Sequence, residues 1–496
     1  MKSDTSAKGL SIAHTGRDSH EGLSNRYLIM KRRLILLEFN ELCPDLIMKW
    51  MGAGLLPNFK KLFESSTAFI TRSDHSDVTW LEPWIQWHSI HTGLRAARHG
   101  VFRLTDGPQS GDDDIWLILR RHGKAVANWG SINSKGFKAP GSIFLPDPWC
   151  QTEKAHPKEL QAYAGFVSRL VQEHTQQTGG FGPGSYASLA GFLLSHGLRP
   201  GTILSIVKQL LDEKIQEPDL RWRRASILDE INLDLFRHYF SRYQPDFATF
   251  FSNSTAHYQH AYWRYMTPEA FAIKPSPHYE RSYGDAILHG YRRMDRLIGK
   301  FGRLEAAGVR LALATGLSQQ PYLDAEDRGG QHYYRPKDVS RLLSELGIGC
   351  TDIEPIMTHQ YMLRFPSAEV AEPVRRILAG YQLDGVSVFQ ADLTDSGAIY
   401  FGCWLHHDVP GDAVMTHREG REPKVFYQVL YKLDAVKSGR HHPDGMFWIQ
   451  ADRHQVYGEK ISILDIFPTI LDFFGVESAA REACEGRSMM PHVTLQ

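Results

Sequence analysis

The stretch LEPWIQWHSIHTGL, residues 81–94, brings Glu82, two tryptophans and two histidines together, with Glu82 directly before Pro83. A carboxylate placed there can act as nucleophile, general base or metal ligand. It can also simply favour the positive end of a helix. Further along, His257 and His260 are spaced i, i+3, so one helical face would offer both to a single ion. The aromatic residues around them, Tyr258, Tyr262, Trp263 and Tyr265, suit packed core histidines equally well. His441 and His442 form a pair just before Pro443, while Glu38, Asn40 and Glu41 crowd the end of the apolar run LILLEF. Gln319 and Gln320 follow a similar apolar run, GVRLALATGLS, where they could contact a substrate. With 24 histidines, several of them clustered, metal binding and acid–base chemistry are the first candidates.

These residues need elements to hold them. LILLEF reads as a buried parallel strand, and KAVANWGSIN, DFATFFSNS and GVRLALATGLS repeat its form of an apolar run closed by a polar turn. Helical patterns lie between, including PDLIMKWMGAG, LPNFKKLFESS and YGDAILHGYRRMDRLIGKFGRL. Strands alternating with helices predict an α/β fold around a central, mostly parallel sheet, with chemistry in the turns past the strand C-termini. Pro83 and Gly93 bracket one short helix on which Trp84, Trp87, His88 and His91 share a face, so packing accounts for most of its aromatic density. The expected organisation is a disordered leader over 1–30 and a core running 31–150, 241–330 and 436–496. A helical cap insertion takes up 151–240, and a small α+β subdomain 331–435. Met30 is an alternative start.

Composition narrows the classes. At 42% hydrophobic and 23% charged residues the chain matches soluble globular proteins. Lys+Arg and Asp+Glu balance at 56 each, so overall charge indicates neither nucleic acid nor an anionic membrane as partner. Five dispersed cysteines without a CxxC pair read as free thiols of a cytoplasmic protein. No apolar run reaches the roughly 18 residues of a membrane span.

In collinear order over residues 30–480, several segments resemble the type I phosphodiesterase/nucleotide pyrophosphatase group of the alkaline phosphatase superfamily. The opening strand with LPNFKKL is similar to that group's first metal loop and helices, and WHSIHTGLRAARHGVF to its nucleophile helix. HYQHAYWRYMTPE is similar to its Asp-x-x-Gln-His segment. HHPDGMFWIQ and SILDIFPTILDFFGV are similar to its last metal histidine and terminal helix. The resemblance implies two zinc-type ions at the strand ends and a Thr or Ser that attacks a phosphoryl group. Several of the implied residues are replaced: Asn40 and Ala256 stand at aspartate positions, Pro83 at the nucleophile, and Gly316 and Leu317 at an Asp–His pair. His260 and His441 remain, and His257 can supply a third nitrogen to one site with an open position. The second site has lost nearly every ligand.

The expectation is therefore a divergent hydrolase or transferase of a small-molecule or glycan phosphate (or sulfate) ester. It uses at most one divalent metal, zinc or manganese, bound by His257, His260 and His441. Glu82 is the catalytic carboxylate, and Glu38, Asn40, Glu41, Gln319 and His442 support the site or bind substrate. Two rivals stand beside it: a non-catalytic binding protein that retains the fold, and a metal-independent enzyme using a Glu/His acid–base pair on a carbohydrate-type substrate. Oligomeric state is not legible in the sequence.

Overall fold

The computed structural model describes residues 32–74, 80–150, 152–176, 182–215, 220–356, 360–394 and 397–495. The expected leader and the Met30 start lie outside the described residues. Strand β1, Arg33–Phe39, is buried along its whole length, as its unbroken apolar run demands. The other strands that matter to the core are β2 (Ser66–Arg72), β3 (Val126–Trp129), β4 (Ile143–Leu145), β5 (Phe247–Ser252) and β6 (Val309–Ala314). They belong to a nine-stranded sheet in which β1 lies between β5 and β6, parallel to both, with β3 and β4 continuing beyond β5. Strand Asp444–Gln450 is inserted antiparallel between β6 and β2. The fold is thus α/β with a central, mostly parallel sheet. Alternation along β1 sends Ile35, Leu37 and Phe39 into one hydrophobic core and Leu34 and Leu36 into the other.

Helices α1 (Pro44–Gly52) and α2 (Pro57–Glu64) follow β1, each with a proline in its first turn. Helix α3, Pro83–Thr92, begins after Glu82 and ends at Gly93, whose φ of 68° is the left-handed cap geometry. A Cβ at Gly93 would lie 2.7 Å from the Phe467 ring, so backbone conformation and packing both call for glycine there. The sequence predicts one packed face for α3, but every residue of it except Trp84 is buried. It lies between the main sheet and the helix Ile466–Phe473, so its histidines are interior groups.

Between β4 and β5 run the helices Leu160–Gln176, Pro183–Ser195, Pro200–Ile215 and Ala225–Tyr243. The last crosses residue 240 and packs on the sheet, with the Phe236 ring centroid 5.4 Å from that of Phe250 on β5. After β6 a second, six-stranded antiparallel sheet is built from strands that include His332–Pro336, Tyr361–Arg364 and Ile399–Leu405. Its hydrophobic core is separate from the two on the main sheet. Strand Gly439–His442 pairs with Ser318–Pro321 and leads the chain back to the main sheet. No helix among the described residues is long and apolar enough to cross a membrane.

Candidate active site

Past the C-terminal ends of β1, β5 and β6 the chain makes polar turns, where parallel α/β sheets place their ligand crevices. At the end of β1 the Asn40 N–H donates to the Ser252 carbonyl (3.0 Å) and the Glu41 N–H to the Thr315 carbonyl (3.1 Å), which ties the turn to both neighbouring strands. Glu41 has φ 63°, a left-handed conformation that costs a side-chain-bearing residue about 1 kcal/mol or more. That geometry is held by the Gln259 side chain, whose Nε2 donates to the Glu41 carbonyl (2.7 Å) while its Oε1 accepts from Tyr291 (2.9 Å).

The strained turn brings a carboxylate to two histidines. Glu41 Oε2 lies 3.0 Å from His260 Nε2 and 3.5 Å from His441 Nε2, and Gln319 Nε2 donates to the same oxygen. The imidazole rings are 5.1 Å apart and nearly perpendicular. One donor atom from each of Glu41, His260 and His441 fits within 4.8 Å of the others. His441 Nε2 is buried without a hydrogen-bond partner among the described residues, so a ligand atom there lacks the proton acceptor or metal it needs. A carboxylate with two imidazoles is a donor set that suits a zinc-type ion, so the residues present fit one divalent metal. The Glu41 side chain is 3% exposed and that of His260 is 39%, so the group opens to solvent on the His260 side.

Glu82 completes the arrangement. It sits at the N-cap of α3 in extended conformation, and its side chain makes no capping bond. Its carboxylate turns to His441 instead, with Oε2 3.7 Å from Nδ1. Burial raises the Glu82 pKa, and the Glu41 charge adds to this against the pull of His441, Lys437 and His260. For His441 burial opposes charging, but Glu41 and Glu82 outweigh it and raise the pKa. Glu41 moves the other way: burial would raise it, yet His441 and His260 hold it far below the usual carboxylate range.

The remaining expected site residues fall elsewhere. His257 is exposed and lies outside the metal-type group, where Glu41 occupies the third place. It lies about one turn from His260 on the helix Ser254–Met266. His442 alternates to the opposite side of its strand from His441, and its Nδ1 accepts from the Asp444 N–H (3.2 Å). Glu38 is fully buried on the α3 side of the sheet, where Oε1 accepts from His91 Nε2 (2.8 Å). Asn40 Nδ2 donates to Glu41 Oε1 (2.8 Å) and Asn253 Oδ1 (2.7 Å), and its Oδ1 accepts from the Trp87 indole (2.8 Å). It orients Glu41.

Among the described residues the second ion that the resemblance implies has no fitting donor set. The Asn40 oxygen is already taken by Trp87, Leu317 offers no ligand atom from its side chain, and a Cβ on Gly316 would sit 3.2 Å from the Trp87 ring. An indole fills that corner of the pocket.

Three residues near Glu82 carry no motif in the sequence. Lys437 lies just before the His441 strand, with Nζ 4.6 Å from the centre of the Tyr322 ring. Burial lowers its pKa, and Glu82 is the largest opposing influence. Tyr333 and Tyr400, on strands of the second sheet, are kept protonated by burial, to which the Glu82 charge adds. The only hint of Lys437 in the sequence is its closeness to His441, four residues on.

No family model matches the chain, and no curated protein matches it in sequence. Among solved structures it is similar to phosphonoacetate hydrolase from Sinorhizobium meliloti 1021. In the complex with phosphonoformate the identity is 13%, with 90% of this chain and 96% of that one covered and a TM-score of 0.39. The complex of the same hydrolase with phosphonoacetate gives 13% identity, the same coverage and a TM-score of 0.37. A mutant of the alkaline phosphatase PafA is similar at 13% identity, covering 94% of this chain and 99% of that one, with a TM-score of 0.45. Likeness at this level bears on neither substrate nor mechanism, which rest on the side chains described above.

Proposed function

We propose that the chain is a divergent hydrolase or transferase of a phosphate or sulfate ester, with one divalent ion, zinc or manganese, held by Glu41, His260 and His441. The observation that carries this reading is the convergence of those three residues on one point, with the Glu82 carboxylate 3.7 Å from His441. A bound ion would supply Lewis-acid polarisation of an ester oxygen or activation of water. The chain's own residues do the rest. Glu82 holds or accepts a proton at its Oε2 beside His441 Nδ1, and Asn40 and Gln319 fix the Glu41 carboxylate. Burial of the Glu41 carboxylate strengthens its charge interactions with both histidines. Pro83 offers no hydroxyl, so the reading assigns attack to water or to Glu82 itself. The division into a core, a 151–240 insertion and a 331–435 subdomain is part of the same proposal. So is a cytoplasmic location, which the free thiols of all five cysteines support.

The test is metal analysis of the purified chain, followed by assay on phosphate and sulfate esters. Stoichiometric zinc or manganese that is lost in Glu41→Ala and His260→Ala supports the reading; wild type with no metal and no response to added metal overturns it. The close Glu82–His441 pair specifically favours one rival, a metal-independent acid–base site. Turnover that survives chelation but is lost in Glu82→Gln would select that rival.

A further inference from the structure

Lys437 is a cation without an anion. Among the described residues its Nζ makes no hydrogen bond or ion pair; it rests over the face of Tyr322, 4.6 Å from the ring centre. A cation resting on an aromatic ring keeps its three N–H donors available. The nearest acidic charges acting on it are Glu82 and Asp324, and Asp324 is already paired with Arg440. The backbone beside Lys437 is fixed on three sides. Its N–H donates to the Gln331 carbonyl (2.9 Å), the Ser438 N–H to the His260 carbonyl (3.1 Å), and the Tyr322 N–H to the Ser438 carbonyl (2.9 Å). The link Lys437–Ser438 thus joins the His260 backbone directly to the strand that carries His441, and the Lys437 charge is felt at His441. A half-buried cation has been placed where the site's own carboxylates leave it unpaired. Burying such a charge is costly unless a partner arrives.

We infer that Lys437 is the anion-recognising residue of this site and binds a tetrahedral oxyanion, the phosphate- or sulfate-type group of the substrate, beside Glu82 and the Glu41–His260–His441 group. The inference rests on the ester reading above and deepens it. The ammonium also offsets the repulsion that Glu82 and Glu41 exert on an approaching oxyanion.

The experiment is calorimetric titration of the full chain with inorganic phosphate and with inorganic sulfate, in chelator-treated and zinc-loaded forms, alongside zinc stoichiometry. Wild type is expected to bind at least one oxyanion. Lys437→Met should weaken that binding by about 10-fold or more in both forms, as loss of a charged hydrogen bond implies. Zinc stoichiometry should stay unchanged, and Lys437→Arg should stay within about 3-fold of wild type because it keeps the charge. If Lys437→Met misfolds by near-ultraviolet circular dichroism, wild type decides alone: phosphate should slow acetylation of Lys437, read by mass spectrometry. Unchanged binding in Lys437→Met, equal loss in Lys437→Arg, absence of oxyanion binding in wild type, or no protection from acetylation would each overturn the inference. If wild type takes up no zinc while Lys437→Met still loses oxyanion binding, the metal reading fails and the role of Lys437 stands.

Discussion

His88, His91 and His99 lie close together in α3 and the turn after it, whereas His260 and His441 meet at the strand ends from distant parts of the chain. In the first group every ring is interior. His88 Nδ1 donates to the Asn133 carbonyl (3.3 Å), His91 Nε2 to Glu38 (2.8 Å), and His99 Nε2 to Ser89 (3.0 Å). Burial, aided by His99, pushes the His88 pKa down to about 3. In the second group Glu41 and Glu82 raise the pKa of His441 against its burial. The contrast teaches that the histidines dense in the sequence pack in the interior, whereas two histidines far apart in the sequence share Glu41 at the candidate site. Both regions touch β1: Glu38 reaches into the interior and Glu41, three residues on, turns out to the crevice.

The comparison can be broken most sharply by removing Glu41. Glu41→Ala should weaken zinc binding on the order of 1,000-fold, measured by competition with a chelating dye, because a carboxylate ligand is lost and two histidines remain. The matching change in the interior group, His91→Ala, should leave metal affinity unchanged. Equal metal loss in the two variants would dissolve the distinction between the regions.

Acid provides the next test. His88 takes up a proton in the unfolded chain below its ordinary value of 6.5 but in the native state only near about 3. The unfolded state therefore binds more protons in that window, and native stability falls as pH is lowered through it. The expected loss is roughly 5 kcal/mol. His88→Gln, which can still donate to Asn133, should flatten this part of the urea-denaturation profile. His441 works with the opposite sign in the metal-free chain. Its raised pKa makes its contribution full below 6.5, and the contribution is lost as pH rises through the folded value.

A smaller effect comes from the Glu38–His91 pair. The Glu38 side chain is 0% exposed and that of His91 is 2%, and Glu38 Oε2 has no other partner among the described residues. His91→Ala strands that carboxylate and should cost about 3 kcal/mol in urea denaturation. The smallest effect is expected at His257, which is exposed. His257→Ala should change stability by less than about 0.5 kcal/mol and leave zinc stoichiometry intact. Loss of metal there would restore the three-histidine site that the spacing suggests.

Much of this was legible in the sequence. The apolar runs at β1, β3, β5 and β6 are strands, Pro83 and Gly93 do bracket α3, and the polar turns after the strands do hold the candidate site. His260 and His441 were nominated from a resemblance, and the chain brings them together. His257 was nominated by its i, i+3 spacing. Spacing says which residues share a helix face but not how that helix is rotated against the sheet. Glu41 was placed in a supporting role because nothing local signals that it adopts φ 63°; a left-handed conformation at a residue other than glycine is imposed by its neighbours.

The order of strands and helices, the buried character of β1 and the limits of α3 follow from local patterning, since short-range periodicity and cap residues decide them. Which carboxylate meets which histidine does not. Glu41, Glu82, His260 and the Lys437–His441 stretch come from four separate segments. Their meeting depends on strand order in the main sheet, on the return strand Gly439–His442 and on the rotation of the helix Ser254–Met266. These are long-range packing outcomes, fixed by which apolar faces can be buried together. LEPWIQWHSIHTGL, the densest cluster in the sequence, contributes to the crevice the carboxylate at its edge and the Trp87 indole that holds Asn40, while most of the rest is core.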